Sequence, residues 1–94
     1  MKPQAVWYSA VPKVVQRGGN VVFIPSESQR SAFALCEPGE IATGGGYIAD
    51  VPVVIVESKA LPANTGWNVT AHNGFGVIPT LKVSALAECL SLVP

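Results

Sequence analysis

Residues 81–89 read LKVSALAEC, and their apolar residues recur at every second position. The apolar phase runs from Leu81 through Val83 to Cys89, while the other phase is mixed. Because successive side chains of a strand point to opposite faces, this alternation predicts a strand with one buried face. The alanine and leucine content of residues 84–92 would also suit a helix, but the period of two runs through to Cys89 and favours the strand.

The same alternation recurs in residues 67–73, WNVTAHN, where Trp67 and Val69 share one face and polar residues share the other. Two such strands can bury their apolar faces against each other. We therefore expect Trp67, Val69 and Val83 in the core.

Outside these two segments, apolar and β-branched runs separated by turn residues predict further strands. The runs are residues 5–15, 21–25, 31–36, 41–50 and 51–60. The first two predict a hairpin around a glycine turn at 17–20, and Pro12, which cannot donate to a ladder, places its strand at a sheet edge or beside a bulge. Pro38 and Gly39 suit the central positions of a type II turn. About seven short strands predict an all-β fold, a single antiparallel β-sandwich (jelly-roll or Ig-like) or a small barrel over residues 1–94.

Composition predicts that part of the apolar surface faces another protein. Hydrophobic residues make up 49% of the 94 residues and charged residues 13%, where soluble domains carry about 25% charged residues. A domain this small has little interior in which to bury them, so we expect protein partners, as a homo-oligomer or as part of a larger assembly. The six basic and six acidic residues balance without a run of like sign, which argues against nucleic acid as a partner.

Membrane insertion and export are not indicated by the sequence. No apolar run approaches the roughly 20 residues of a membrane span. Residues 1–13 lack the apolar block and the cleavage site of a secretory signal. We expect the chain as written either to be made in the cytoplasm or to have been trimmed already.

The chain has two cysteines, Cys36 and Cys89, and neither belongs to a C-x-x-C pair. A zinc site made of cysteines alone is therefore excluded. The two residues form either one disulfide or two buried thiols.

The glycines of residues 36–50, CEPGEIATGGGYIAD, suggest a phosphate-binding loop at first sight. No lysine follows them, and the chain continues into β-type residues, so the segment fits neither a Walker loop nor a dinucleotide fingerprint. Gly44, Gly45 and Gly46 are predicted to be structural, because strand glycines permit a bulge or let a bulky side chain lie against the backbone.

Residues 36–47, 66–73 and 83–89 together resemble a pattern of small extracellular domains of bacteria and archaea. That pattern is a cysteine, a Pro-Gly-Glu-type turn, a Gly-Gly-Gly-aromatic strand, a Gly-Trp before an alternating strand, and a last strand ending in cysteine. The resemblance implies a β-sandwich in which Cys36 pairs with Cys89, and it implies no activity. Such domains usually carry an export signal and a Ser-x-Pro after the middle strand, and this sequence has neither. A secreted type of domain without a signal suits a virus or phage structural protein released by lysis.

Candidate chemical sites are weakly supported by the sequence. Cys36 with His72 would provide a thiol nucleophile and its base, but His72 falls on the polar face of its strand and Cys36 has a better partner in Cys89. Four carboxylates are close in sequence, at Glu37, Glu40, Asp50 and Glu57. Glycines and apolar residues dilute them, so a solvated rim is expected instead of a calcium site or a glycosidase pair. We predict no catalytic residue, no cofactor and no metal.

The aromatic residues near the N-terminus suggest an interface. Trp7 and Tyr8 are adjacent and must point to opposite faces of their strand, so one of them faces away from the core. An outward aromatic on an edge strand that carries proline suits an interface anchor, which makes Val6, Trp7, Tyr8 and Pro12 the interface candidates. Stacking on a sugar, with Trp67 as a further aromatic, is the alternative use.

Together these features predict a non-enzymatic structural subunit, located in a virion or outside the cell. The predicted role is a virion component, such as a capsid decoration or cement protein, that self-associates or docks on capsid or filament subunits. The alternative is an extracellular binding module, either a carbohydrate binder or a cell-surface adhesin.

Overall fold

The structure is a computed structural model that describes residues 11–74 and 79–93. These residues form seven strands and one 3₁₀ turn. In chain order they are β1 (Val11–Gly18), β2 (Val22–Pro25), β3 (Gln29–Leu35), β4 (Ile41–Ala49), β5 (Val54–Ala60), the turn Pro62–Asn64, β6 (Gly66–His72) and β7 (Thr80–Val93). The helix considered for residues 84–92 is wrong, because those residues lie within β7.

The strands form two antiparallel sheets. In sheet A, β7 is central, β4 pairs with one of its edges, and β1 and β2 pair with the other. In sheet B, β6 is central, with β3 and β5 at its sides. The buried cluster draws residues from both sheets, which confirms the predicted all-β antiparallel sandwich.

The hairpin predicted for the first two apolar runs is wrong. β1 and β2 both pair with β7 and follow each other along one edge of it, with Gly18 opposite Leu86 and Val22 opposite Val83. Between them, Gly19 N donates to the carbonyl oxygen of Ala85 at 3.0 Å. At 14 residues β7 is long enough to pair with the eight residues of β1 and the four of β2 end to end. The chain therefore needs no reversal at 17–20.

The turn between β3 and β4 forms as predicted. Glu40 N donates to the carbonyl oxygen of Glu37 at 3.0 Å. Gly39 has a φ of 89°, in the left-handed region that a type II turn requires at this position and that glycine adopts without a Cβ clash.

The core between the sheets is made mainly of small side chains. Its buried cluster consists of Ile24, Ala32, Ala34, Val69, Ala71, Leu81, Val83, Ala85, Ala87 and Cys89. Half of these residues are alanine. Alanine removes little apolar area from water, so this core stabilises the fold less per residue than one filled with Leu, Ile or Phe.

Candidate assembly surfaces

The outer face of sheet A is the surface formed by the side chains that point away from the core. Pairing fixes these positions, because residues directly opposite each other in a ladder share a face. On β7 they are Lys82, Ser84, Leu86, Glu88 and Leu90, since the alternate residues from Leu81 to Cys89 are buried. The apolar residues that join Leu86 and Leu90 on this face are Val14, Phe23, Ile41 and Ile48.

The apolar side chains of this face are open to solvent. Val14 and Phe23 are each 58% exposed and Ile48 is 59% exposed. At the centre, Leu86 lies between Gly18 and Gly46, its two direct cross-strand neighbours. The outer face of sheet A therefore carries large exposed apolar side chains. The surface is lower on both sides of Leu86, where its neighbours are glycines.

The charges on this face balance each other. Among the described strand positions that point outward from sheet A, the charged residues are Lys82 and Glu88. Gln16 Nε2 donates to Glu88 Oε2 at 2.8 Å. At the other end, the carboxylate of Asp50 accepts a hydrogen bond from Lys82 N at 3.1 Å, beside the lysine side chain. A neighbour of either charge sign would therefore meet little repulsion here.

The outer face of sheet B is different in character. Its centre is polar: the hydroxyls of Ser31 and Thr70 lie 2.7 Å apart, and Asn68 Nδ2 donates to Glu57 Oε1 at 3.0 Å. Exposed apolar side chains such as Phe33 surround this polar centre. Of the two outer faces, that of sheet A is the more apolar.

The three predicted structural glycines have distinct environments in β4. A Cβ atom at Gly45 would clash with Cγ of the Trp67 ring and would lie 2.5 Å from the carbonyl oxygen of Leu86. At Gly44 and Gly46 a Cβ atom would meet nothing within 4 Å. The ladder to β7 is irregular between Ala42 and Gly44, so this glycine strand combines a bulge with one place of close packing.

Trp67 is the side chain that packs on the glycine strand. It is half-buried, lies against the core cluster, and donates from Nε1 to Ser58 Oγ at 2.9 Å. The indole N–H of Trp67 thus has a hydrogen-bond partner within the chain, and its ring packs against Gly45. Val69 and Val83, the other predicted core residues, are 0% and 1% exposed.

The two sheets are joined covalently by a disulfide. Cys36 follows β3 of sheet B, Cys89 lies in β7 of sheet A, and their Cα atoms are 5.7 Å apart. The pairing implied by the resemblance is therefore confirmed. A sulfur held in this bond is not a thiolate, so the structure rules out the nucleophile that a Cys36–His72 pair would need.

An ion pair lies close to the disulfide. Arg17 of β1 makes two hydrogen bonds to the Glu40 carboxylate, 2.6 Å from Nη2 and 3.2 Å from Nε, and Glu37 N donates to the same carboxylate at 2.9 Å. The hydrogen bonds from Arg17 and then from the backbone lower the pKa of Glu40. The same pairing raises the pKa of Arg17. Sheet A is therefore linked to the β3–β4 turn by a bidentate contact as well as by the covalent bond.

The four clustered carboxylates all have partners within the chain. Glu37 and Glu40 pair with Arg17, and Asp50 accepts from Lys82 N. Glu57 accepts from Asn68 and pairs with Lys59 at 3.2 Å. Within residues 11–74 and 79–93, one trio of metal-ligand types does lie close together, namely Cys36, Cys89 and Glu40. Its sulfurs are bonded to each other and its carboxylate is bound to Arg17, which leaves no ligand set for a cation there.

The predicted interface residues fall partly within the described chain. Val6, Trp7 and Tyr8 lie outside the described residues. Pro12 is exposed on β1, and that strand pairs with β7 alone among the described strands. This agrees with the edge position predicted for Pro12.

The outer face of sheet A was not singled out in the sequence, although a signal was present. Residues 21–24 are four apolar residues in succession. A strand that is apolar at consecutive positions has apolar side chains on both of its faces. Phe23 is the outward member of that run.

Comparison of the chain with protein-family models, with curated proteins and with solved structures finds no match. The described residues contain no helix with the length and hydropathy that a membrane crossing requires.

Proposed function

We propose that this chain is a non-enzymatic structural subunit that self-assembles and builds part of a virion, as a capsid decoration or cement protein does. The observation that carries the proposal is the distribution of its apolar side chains. The core is half alanine, while both phenylalanines of the described residues, Phe23 and Phe33, are 58% and 51% exposed. A chain that leaves these two phenylalanines exposed while half of its buried cluster is alanine is suited to burying that surface against a neighbour.

The size and composition of the outer face of sheet A support a protein partner. Twelve residues of β7 span about 40 Å, and three strands side by side span about 14 Å. A face-to-face contact over this area would bury on the order of 1,200 Å² in total, at the lower end of specific protein interfaces. Lys82 and Glu88 are the charged residues of this face at described strand positions, and few charges among apolar side chains is the usual composition of an interface core.

The links between the sheets support a mechanical role. A disulfide and a bidentate ion pair add rigidity to a fold whose core consists mainly of small side chains. Disulfides persist outside cells and on virion surfaces. A rigid subunit loses less entropy on docking.

The arrangement of the aromatic side chains favours this function over sugar binding. Among the described residues, the exposed aromatic side chains lie on different surfaces; they are Phe23, Phe33 and Tyr47. Trp67 packs its ring on Gly45 and donates its N–H to Ser58. A stacking platform needs aromatic faces that converge on one ligand.

Light scattering on the purified chain at micromolar concentration tests the proposal. The wild type should be multimeric, and Phe23→Lys should lower its mass at least twofold by placing a charge in the outer face of sheet A. Phe33→Lys is the matched control, because it has similar exposure on sheet B, and it should leave the mass unchanged. A wild-type monomer at every concentration would refute self-assembly, and a specific hit on a glycan array would then favour the binding module.

A further inference from the structure

The outer edge of β4 has backbone groups that point away from its own sheet. Gly19 N bonds to the carbonyl oxygen of Ala85 on the β1–β2 side of β7, whereas Asp50 N bonds to that of Lys82 on the β4 side. Backbone groups alternate along an antiparallel strand, so Gly44, Gly46 and Ile48 of β4 face β7. Gly45, Tyr47 and Ala49 face away from it, and no described strand pairs with them.

The sequence of β4 does not protect this edge. Its nine residues, IATGGGYIA, include no charged residue and no proline, two of the devices that block edge pairing. The bulge lies at one end, between Ala42 and Gly44, and the segment from Gly44 to Ala49 is regular. An uncharged edge of this length in regular register is a template for another strand.

We infer that β4 pairs antiparallel with β4 of a second copy about a two-fold axis at Gly46. In this register Tyr47 lies opposite Gly45 of the partner subunit, and Ile48 lies opposite Gly44 of the partner subunit. Tyr47 and Ile48 are 44% and 59% exposed, and the space over Gly44 is open. Ile48 thus covers a glycine of the other copy, and Tyr47 places an aromatic ring opposite an edge glycine, an arrangement known to stabilise glycine in sheets.

The register also gives the free backbone groups of β4 hydrogen-bond partners, and it keeps inward and outward side chains on matching faces of the two copies. Gly45 and Tyr47 of the two copies form hydrogen-bonded pairs, because both direct their N–H and C=O groups to the free edge. Gly45 and Tyr47 share the inner face, while Gly44 and Ile48 share the outer one. The Tyr47 ring of the partner subunit would lie beside the Trp67 indole that covers Gly45. One continuous sheet would then run through both copies.

This inference deepens the proposed function, on which it rests for the larger assembly, by naming the first partner as a second copy. The β4 contact is made by the backbone edge of sheet A, whereas the outer face of sheet A is a surface of side chains, and the two adjoin at Ile48. Two self-complementary contacts on one subunit generate assemblies larger than a dimer.

Cysteine cross-linking tests the register. The pair Gly46–Gly46 is of the non-hydrogen-bonded type with Cα atoms about 4.5 Å apart, within disulfide range. Gly46→Cys should therefore form an intermolecular disulfide under mild oxidation. Gly44→Cys is the matched control, with the same face, strand and open space, but its two copies would be about 13 Å apart along the strands. We expect Gly46→Cys to cross-link at least tenfold faster; equal rates, or faster Gly44→Cys, overturn the inference.

A second variant covers the case in which the cysteine variants fold poorly. Tyr47→Lys places a charge at the free edge and should weaken the dimer at least tenfold, while Tyr47→Phe should preserve it; a Tyr47→Lys dimer of unchanged affinity overturns the inference. Failure of the two proposals is distinguishable. If Gly46→Cys does not cross-link but Phe23→Lys still lowers the mass of the multimer, only the β4 pairing fails. If Gly46→Cys cross-links and Phe23→Lys changes nothing, only the role of the outer face fails.

Discussion

Alanine substitution at each of the three β4 glycines should give opposite signs at neighbouring positions. At Gly45 the new methyl group would clash with Cγ of Trp67 and lie 2.5 Å from the Leu86 carbonyl oxygen. Overpacking of this kind costs about 1–3 kcal/mol. At Gly44 and Gly46 the methyl group meets nothing within its own chain and φ is not positive. Alanine should therefore stabilise the single chain by about 0.4–1 kcal/mol, because it lowers the conformational entropy of the unfolded state. The expected spread between Gly45→Ala and the other two is therefore about 1.5–4 kcal/mol.

Urea unfolding of the three variants, followed by tryptophan fluorescence, measures this spread. In a domain of this size each kcal/mol shifts Tm by about 4–8 °C, so a thermal scan should show the same order. In a Trp67→Leu background the penalty of Gly45→Ala should fall but persist in part, because the Leu86 carbonyl oxygen remains. Three variants of equal stability, or Gly45→Ala as the most stable, would refute the packing of Trp67 on this strand.

Three further outcomes follow from the links between the sheets and from one buried amide. Replacing Cys36 and Cys89 by alanine opens a loop with a sequence separation of 53 and should lower the free energy of unfolding by about 4 kcal/mol in denaturant titrations. The pKa of Glu40 is lowered by Arg17, so its stabilisation is present above the ordinary carboxyl range near pH 4 and is lost as the pH falls through the lowered pKa. Glu40→Gln should therefore flatten the acid limb of a stability–pH curve. Asn73 is 0% exposed and donates to a β2 carbonyl oxygen at 3.1 Å, so Asn73→Ala should cost about 1–3 kcal/mol by thermal unfolding.

Local pattern predicted the elements of this fold well where one face alone is buried. The alternation of residues 81–89 identified β7, and the inward phase through Val83 is buried throughout. Pro38 and Gly39 identified the type II turn because each has a conformation that few other residues adopt. These signals depend only on neighbours in the chain.

Pairing between strands was predicted less well, because it depends on lengths that the local pattern does not give. The hairpin expected at 17–20 fails since β7 continues to Val93 and can pair with two strands in line. Residues 90–93, LSLV, belong to β7, but polar and apolar residues do not alternate regularly there. The local pattern therefore did not predict the full length of the strand.

The surface proposed for assembly was predicted only through composition. The excess of apolar residues indicated a partner but not the surface that it covers. Trp7 and Tyr8 were the predicted interface anchors because aromatic residues on an edge strand suit that role, and they lie outside the described residues. The face around Leu86 requires the register of three strands, which places Gly18 and Gly46 on either side of it. The resemblance to small extracellular domains stays a prediction, and so does the virion location.

The central position of β7 governs when this protein can fold. Every other strand of sheet A pairs with β7, which a ribosome makes after all of them, together with Cys89. Until it emerges, β1, β2 and β4 have no partner in their own sheet, and exposed apolar strands of this kind are prone to aggregate. Folding of sheet A therefore comes late in synthesis and depends on contacts between distant parts of the chain, which form slowly. A nascent chain that stops short of residue 80 lacks the strand on which β1, β2 and β4 pair, and one that extends through Val93 can complete sheet A.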